Sequence, residues 1–431
     1  MYVMYNAAYI YNGHIDTHHT SYKHFRRRIE QRSSSEVHVA STPLATGRQC
    51  LSGFEFDSVC QRLALDSPPR DSPKCKSAQD VTEGSLQGSD DKVSNDLRPF
   101  TVLSRSSMSP QDKAVMKLAA PPLLNDYYTN LLDCSCNGMV ALALGSSVYL
   151  WNSETHSLEG HLHPSPPALA PAQPGRPCRQ RQAISSLCWS RDGRALSIGT
   201  RRGEIQVNLW DVEHKSNVRC VLSHLSVVRA LSWKQDILSS GSVLGRIHHH
   251  DLRAPTPLVG VAAQQGGVCS LEWSPGDDHL ASGSTDGLLS IWDSDITGVT
   301  RSRQPVSTMK QPSAVKAMGW CPWQRQLIAT GGGWRDGELR IWDTHSGSCI
   351  DSVPTNSQIC SLRWAEKQRA LVTGHGLPHH HLTCWAWDSP SLSPTYQLAG
   401  HSHRVLHLAL SPRGTQIVSA GADQCVHIWA M

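Results

Sequence analysis

At 431 residues the chain is long enough for one large fold with an added segment, or for two domains. Its 40 Lys and Arg against 36 Asp and Glu leave a net charge of +4, too balanced for electrostatic capture, so no nucleic-acid partner is expected. Apolar runs such as Met139 to Leu144 fall far short of the roughly 20 residues that cross a bilayer, so no membrane partner is expected either.

The opening MYVMYNAAYIYNGH has neither a basic leader nor a continuous apolar core, which argues against secretion and for the cytoplasm and/or nucleus. The 14 cysteines stand without a C-x-x-C pair and read as reduced, mostly buried thiols. Residues 1–113 are expected to form a disordered or poorly structured tail, because from about Ser33 onward Ser, Pro, Asp and Lys dominate without periodicity. Within it, KHFRRR (Lys23 to Arg28) reads as a nuclear-localisation cluster or a solvated basic run. Ser67-Pro68, Ser72-Pro73 and Ser109-Pro110 read as sites for proline-directed kinases or as biased composition.

After Asn125, short β-rich runs ending in an aromatic residue or histidine recur about every 40 to 50 residues, the period of propeller blades. The endings are VYLWN (Trp151), VNLWD (Trp210), IHHHD (His250), LSIWD (Trp292), LRIWD (Trp342), CWAWD (Trp387) and VHIWA (Trp429). Upstream strands match them at Leu131 to Ser135, Trp189, Trp233, Trp273, Trp320, Trp364 and Leu408. A third strand lies between, as in ALSIGT, LASGST and IVSAGA, and turns such as Asp192-Gly193, Asp286-Gly287, Asp336-Gly337 and Arg413-Gly414 supply the reversals. The fold class is therefore all-β, a seven-bladed WD-repeat β-propeller over residues 114–431. A Pro-rich loop at 156–182 separates blades 1 and 2, and Ala114 to Leu124 supplies the outer strand that closes the ring. In the last blade His401, Ser419, Asp423 and Trp429 have the spacing of a buried hydrogen-bonded set. The third to sixth blades lack members of it, so packing is expected to replace the missing bonds.

No phosphate-binding loop, nucleophile elbow, H-E-x-x-H or kinase signature occurs, so no enzyme activity and no cofactor are read. The triplet His248 to His250 lies on a strand, whose alternation prevents all three imidazoles from meeting at one ion. His379 to His381 follows Gly376-Leu377-Pro378 in a loop. No metal is assigned to either.

NDYYTNLLD (Asn125 to Asp133), SVYLWN, ILSSGSVLGRIHHHD, AVKAMGWCPWQ, IATGGG and HRVLHLALSP together resemble the Fizzy family, the cell division cycle protein 20 co-activators of the anaphase-promoting complex. The likeness spans residues 122 to 430. ALGSSVYLWN, HLSVVRALSW, STDGLLSIWD and TNSQICSL look most like a divergent branch of that family.

The resemblance implies a non-catalytic substrate-recognition adaptor of that ubiquitin ligase, with degron-containing proteins and anaphase-promoting complex subunits as partners. Asp133 matches the acidic residue that pairs with the arginine of an RxxL destruction box. Gln358 and Arg404 match polar residues that receive a KEN peptide on the central upper face. A turn carboxylate is the alternative for Asp133, and a loop cation bound to a neighbouring blade is the alternative for Arg404.

Three departures stand against the family pattern. Gly283-Ser284-Thr285-Asp286-Gly287 replaces GGNDN, Trp334 replaces a small polar residue, and Cys134 replaces a tryptophan. The family's C box, DR(Y/F)IPxR, is not found, and the chain ends Ala430-Met431 where the family has Ile-Arg. RPFTVL (Arg98 to Leu103) is basic then aliphatic, as a checkpoint-protein ligand would be. The alternative function is a WD-repeat assembly scaffold that does not dock on the ligase.

Overall fold

The computed structural model describes residues 102–105, 114–164, 182–209, 217–295 and 304–431. The basic run at Lys23 to Arg28, the three Ser-Pro pairs, Trp210 and residues 165–181 lie outside them. Among the described residues every regular element is a strand, and no helix is long and apolar enough to cross a membrane.

The strands form seven antiparallel sheets, six of four strands and one of five. Inner strands follow one another around a central channel: Leu132–Cys134, Ile184–Trp189, Val228–Lys234, Val268–Trp273, Ala317–Trp320, Ile359–Ala365 and Val405–Leu410. Each blade then steps outward through consecutive neighbours. Because strand direction alternates, the links from second to third strand and from each outer strand to the next blade all emerge on one face, called here the upper face. The expected turn glycines Gly193, Gly287, Gly337 and Gly414 all take positive φ, which glycine adopts without a Cβ clash.

Closure is made by Met116–Ala119, which pairs antiparallel with the C-terminal strand Cys425–Ala430, Met116 opposite Ile428 and Ala119 opposite Cys425. Val102–Arg105 adds outside it through an irregular register. Paired structure thus reaches back into the stretch assigned to the tail, because a four-residue run is too short for a periodicity to register. A second adjustment concerns the Pro-rich loop, since the first blade's outer strand, Ser157–Leu162, occupies the start of 156–182. Its SLEGHL sequence is mostly exposed and lacks the apolar alternation that marks a strand.

The core lies between sheets. Leu118, Leu131, Leu142, Leu150, Ile184, Leu196, Val418 and Ile428 share one cluster spanning the seventh, first and second blades. Burying each such side chain stabilises by about 1.5–3 kcal/mol, so the closing strand is held by packing as well as by its ladder.

A hydroxyl is the hub of the buried network in the last five blades. In the seventh, Ser419 Oγ accepts from Trp429 Nε1 at 2.8 Å and meets His401 Nε2 at 2.8 Å, while His401 Nδ1 lies 3.0 Å from Asp423. The expected set is complete there. In the fourth and fifth, Ser282 and Thr330 accept from Trp292 and Trp342 and donate to Gln264 and Gln311. In these two blades glutamine supplies a hydrogen bond in place of a missing member, which corrects the expectation of packing alone. The sixth blade shifts its assignment by two residues. Trp385 Nε1 donates to Thr373 Oγ1 at 2.8 Å, and Leu371 faces Trp385 across the ladder. Trp387 instead donates to Gln324 Oε1 at 2.7 Å.

Candidate functional site

Gln358 and Arg404 immediately precede the inner strands of adjacent blades, Ile359–Ala365 and Val405–Leu410, so both sit at the upper mouth of the channel. They approach Gly376 from two sides. A Cβ there would lie 2.8 Å from Gln358 Oε1 and 3.3 Å from Arg404 Cδ, so glycine at 376 permits the convergence. The loop is stitched to Gln358 by two backbone bonds, Gly376 N to Gln358 O at 2.7 Å and Gln358 N to Leu377 O at 3.2 Å. Arg404 Nη2 donates to Asn125 O at 3.3 Å and also to Asn125 Oδ1. That bond ties the seventh blade to the segment entering the first. Gln358 is 1% exposed and Arg404 4%, so they form the floor of a recess rather than its rim.

Several neighbours went unassigned in the sequence. Tyr127 Oη donates to Ile359 O at 3.3 Å, and its ring meets Tyr128 edge-on with centroids 5.1 Å apart. Arg229 lies 4.4 Å from the Tyr128 ring centroid, within cation–π range. Trp334, half-buried, sits under the Arg335 guanidinium at 5.0 Å, and its loop is joined to Ile359 by the bond from Ile359 N to Gly332 O at 3.0 Å. The upper centre is therefore aromatic and cationic. The signal for the tyrosines was present in NDYY, but Arg229 has no local mark because it meets them only through closure of the ring. Asp286, in the GSTDG turn, accepts from Ser284 Oγ and Leu288 N and so caps its own hairpin.

Asp133 lies elsewhere, on the first inner strand and facing the channel. Its Oδ2 accepts from Trp189 N of the second blade at 2.7 Å, and its Oδ1 accepts from Cys134 N at 3.0 Å. Burial pushes its carboxyl up, against the lowering effect of the Trp189 N–H and of Arg363. Ser232, at the matching position of the third blade, likewise receives Trp273 N at 3.1 Å. The structure thus brings Gln358 and Arg404 together and sets Asp133 apart as a clasp between blades.

The histidines separate as strand alternation requires. His248 and His250 share a side with His224, both bonded to Ser223 Oγ at 3.0 and 2.8 Å, and the His224 and His248 rings stack 4.1 Å apart. His249 turns the other way, its Nδ1 2.8 Å from Ser239 Oγ. His379, His380 and His381 wall the Gly376 loop beside Arg404. His380 is pushed down to about 4 by burial, with His403 and Arg404 adding to the effect.

Among the described residues, His401, Asp423 and His427 bring ligand atoms within 4.8 Å of one another. The two rings stack at 3.9 Å and 11°, which leaves the in-plane lone pairs parallel instead of convergent. Both His401 nitrogens already have protein partners, as described above. The described cysteines are free thiols, with Cys136 and Cys349 exposed.

Comparison with known proteins agrees with this architecture. The family model described as the CDC20/Fizzy WD40 domain matches residues 118–429. The Dictyostelium discoideum protein named anaphase-promoting complex subunit cdc20 is 37% identical over 349 residues, 78% of this chain and 66% of the relative. Cell division cycle 20.1, cofactor of APC complex, from Arabidopsis thaliana is 36% identical over 72% of this chain and 65% of its own length. The WD repeat-containing protein slp1 of Schizosaccharomyces pombe is 36% identical over 72% of this chain and 60% of its own length. The chain thus spans slightly under two thirds of the length of these relatives. A chain of the crystal structure titled mitotic checkpoint complex superposes with a TM-score of 0.66 at 33% identity, covering 76% of this chain and 98% of that one. The blade register, the upper-face recess and the match over 118–429 place this chain in the CDC20/Fizzy family.

Proposed function

We propose that the chain is a non-catalytic recognition adaptor of the anaphase-promoting complex, working in the cytoplasm and/or nucleus, that binds degron-containing proteins through its upper face. The observation that carries this reading is the convergence of Gln358 and Arg404 on Gly376 at the mouth of a propeller of this family. The recess offers an amide and a guanidinium on rigid strand starts, suited to an acidic or amide side chain of an extended peptide. The names of the relatives support the ligase connection.

A peptide array tests the recognition half. Gln358→Ala and Arg404→Ala should each weaken binding of KEN-like peptides by about tenfold or more, about 1.4 kcal/mol. Unchanged binding in both would discard the recess as the site. Asp133→Asn separates its two assignments. Loss of RxxL peptides with an unchanged unfolding midpoint supports a contact with the peptide arginine, whereas loss of both assigns Asp133 to the clasp. For the ligase half, affinity purification from cells should recover ligase subunits. Their absence alongside retained peptide binding leaves the assembly scaffold.

A further inference from the structure

Below the upper face the channel contains a chamber that the recognition site does not use. Two side chains brace its upper end. Asn130 Nδ2 donates to Arg229 O at 2.8 Å and Cys269 O at 3.3 Å, reaching from the first blade to the third and fourth. Lys316 Nζ donates to Cys360 O at 3.0 Å and Leu406 O at 3.5 Å, reaching from the fifth blade to the sixth and seventh. All four carbonyls belong to residues at bulges, between Val228 and Ala230, Val268 and Ser270, Ile359 and Ser361, and Val405 and His407. A bulge frees a carbonyl from its ladder, which is what the braces use.

Beneath the braces lies a cavity of about 240 Å³, continuous through Glu272 and Arg363 with a funnel of about 360 Å³ toward the lower face. It has room for one small organic molecule or several waters. Asp133, Glu272, Lys316 and Arg363 are the charged residues among its lining.

The residue before each strand-end position points into the channel. Blades four, five and six present Glu272, Gly319 and Arg363 there in turn. At the middle position a Cβ on residue 319 would press on Leu362 Cδ1 at 2.9 Å and Trp364 Cδ1 at 3.4 Å and would stand 3.8 Å from Glu272 Oε2, so the glycine packs tightly against the sixth blade and adds no side chain between the two charges. Arg363 Nη1 is turned onto Leu362 O at 2.9 Å. Among the described residues Glu272 and Arg363 do not come within ion-pair distance of each other.

We propose that this chamber is a binding site for a compact dipolar molecule, an α-amino acid or its like, whose ammonium meets Glu272 and whose carboxylate meets Arg363 within the cavity that both side chains line. Each contact is a charge-assisted hydrogen bond in an enclosed site. The brace closes the upper end, so entry is from the lower face, past Arg191, which Asp277 holds at 2.9 Å. Burial pushes the Glu272 carboxyl up to about 7, against the lowering effect of Arg363, the Trp320 backbone N–H and Arg191.

Calorimetric titration and thermal unfolding of the full chain test this with L-serine, L-asparagine and 4-aminobutyrate as dipolar probes, against ethanolamine and propionate as single-charge controls. At least one dipolar probe should bind about tenfold or more tighter than either control, and Glu272→Gln and Arg363→Met should each remove that advantage. Glu272→Asp and Arg363→Lys keep both charges while shifting them and should each weaken the dipolar probes more than the controls, which guards against a charge variant that fails to fold. No binding by any dipolar probe at about 10 mM overturns the proposal and leaves a water-filled channel. So does binding that survives both Glu272→Gln and Arg363→Met. Because none of these residues touches the upper recess, failure here leaves the peptide-array result standing.

Discussion

The seventh and third blades carry the same hub in different company. Ser419 holds Trp429 and His401 at 2.8 Å each, and Asp423 fixes the far nitrogen of His401. In the third blade Ser240 meets His224 Nε2 at 2.8 Å, but His250, standing where the others have tryptophan, only at 3.4 Å. Leu244, 59% exposed, occupies the turn position of Asp423, as the equivalent bonds Val243 N to Val227 O and Ala422 N to Arg404 O show. His224 Nδ1 is buried without a hydrogen-bond partner. The fold keeps the hydroxyl and tolerates exchange of everything around it, and the exchange is made with imidazoles that must stay neutral.

The largest effect expected is from acid, which strikes both blades. Burial pushes His224 and His427 down to about 3 and His250 to about 4. The unfolded chain therefore binds more protons than the folded one below pH 6.5, and stability falls as pH drops from there toward those values. At pH 5 the loss should reach up to about 2 kcal/mol for each imidazole, read from denaturant unfolding at a series of pH values. A flat profile between pH 7 and 5 would remove the neutral-imidazole account.

Next comes Ser419→Ala, which strips partners from Trp429 Nε1 and His401 Nε2 together and should cost about 2–5 kcal/mol at pH 7.5 by urea unfolding. Ser240→Ala should cost less, about 1–3 kcal/mol, because one of its bonds is already long. Equal losses would show that the two hubs are equivalent after all. The smallest change runs the other way. Leu244→Asp offers His224 Nδ1 the carboxylate that Asp423 gives His401, and should add about 0.5–1.5 kcal/mol while lifting the His224 titration in an NMR pH series.

The ring was legible because one unit recurs seven times, so any single misreading is outvoted by its register mates. What escaped was local. CWAWD holds two tryptophans, and only the ladder shows that Trp385 faces Leu371 while Trp387 reaches a neighbouring blade. SLEGHL packs on one side only and carries no apolar rhythm. The recess was half legible, since Gln358 and Arg404 stand at matching offsets in adjacent units, whereas Arg229 reaches Tyr128 only because the ring closes. The channel chamber was invisible for the same reason. Asp133, Glu272 and Arg363 stand at one register position of their blades, but a single polar residue per blade carries no sign of what faces it across the channel.

Met116–Ala119 is synthesised near the start of the propeller, yet among the described residues the strand that joins it to a blade is Cys425–Ala430, at the far end of the ring. At about 5–20 residues per second a ribosome needs on the order of tens of seconds to deliver that partner. Throughout that interval Leu118, 1% exposed in the finished ring, lacks the seventh-blade half of its cluster, Val418 and Ile428. Closure of the ring therefore falls to a strand that has waited while all seven blades were made, and whatever shields that strand meanwhile governs the yield of closed rings.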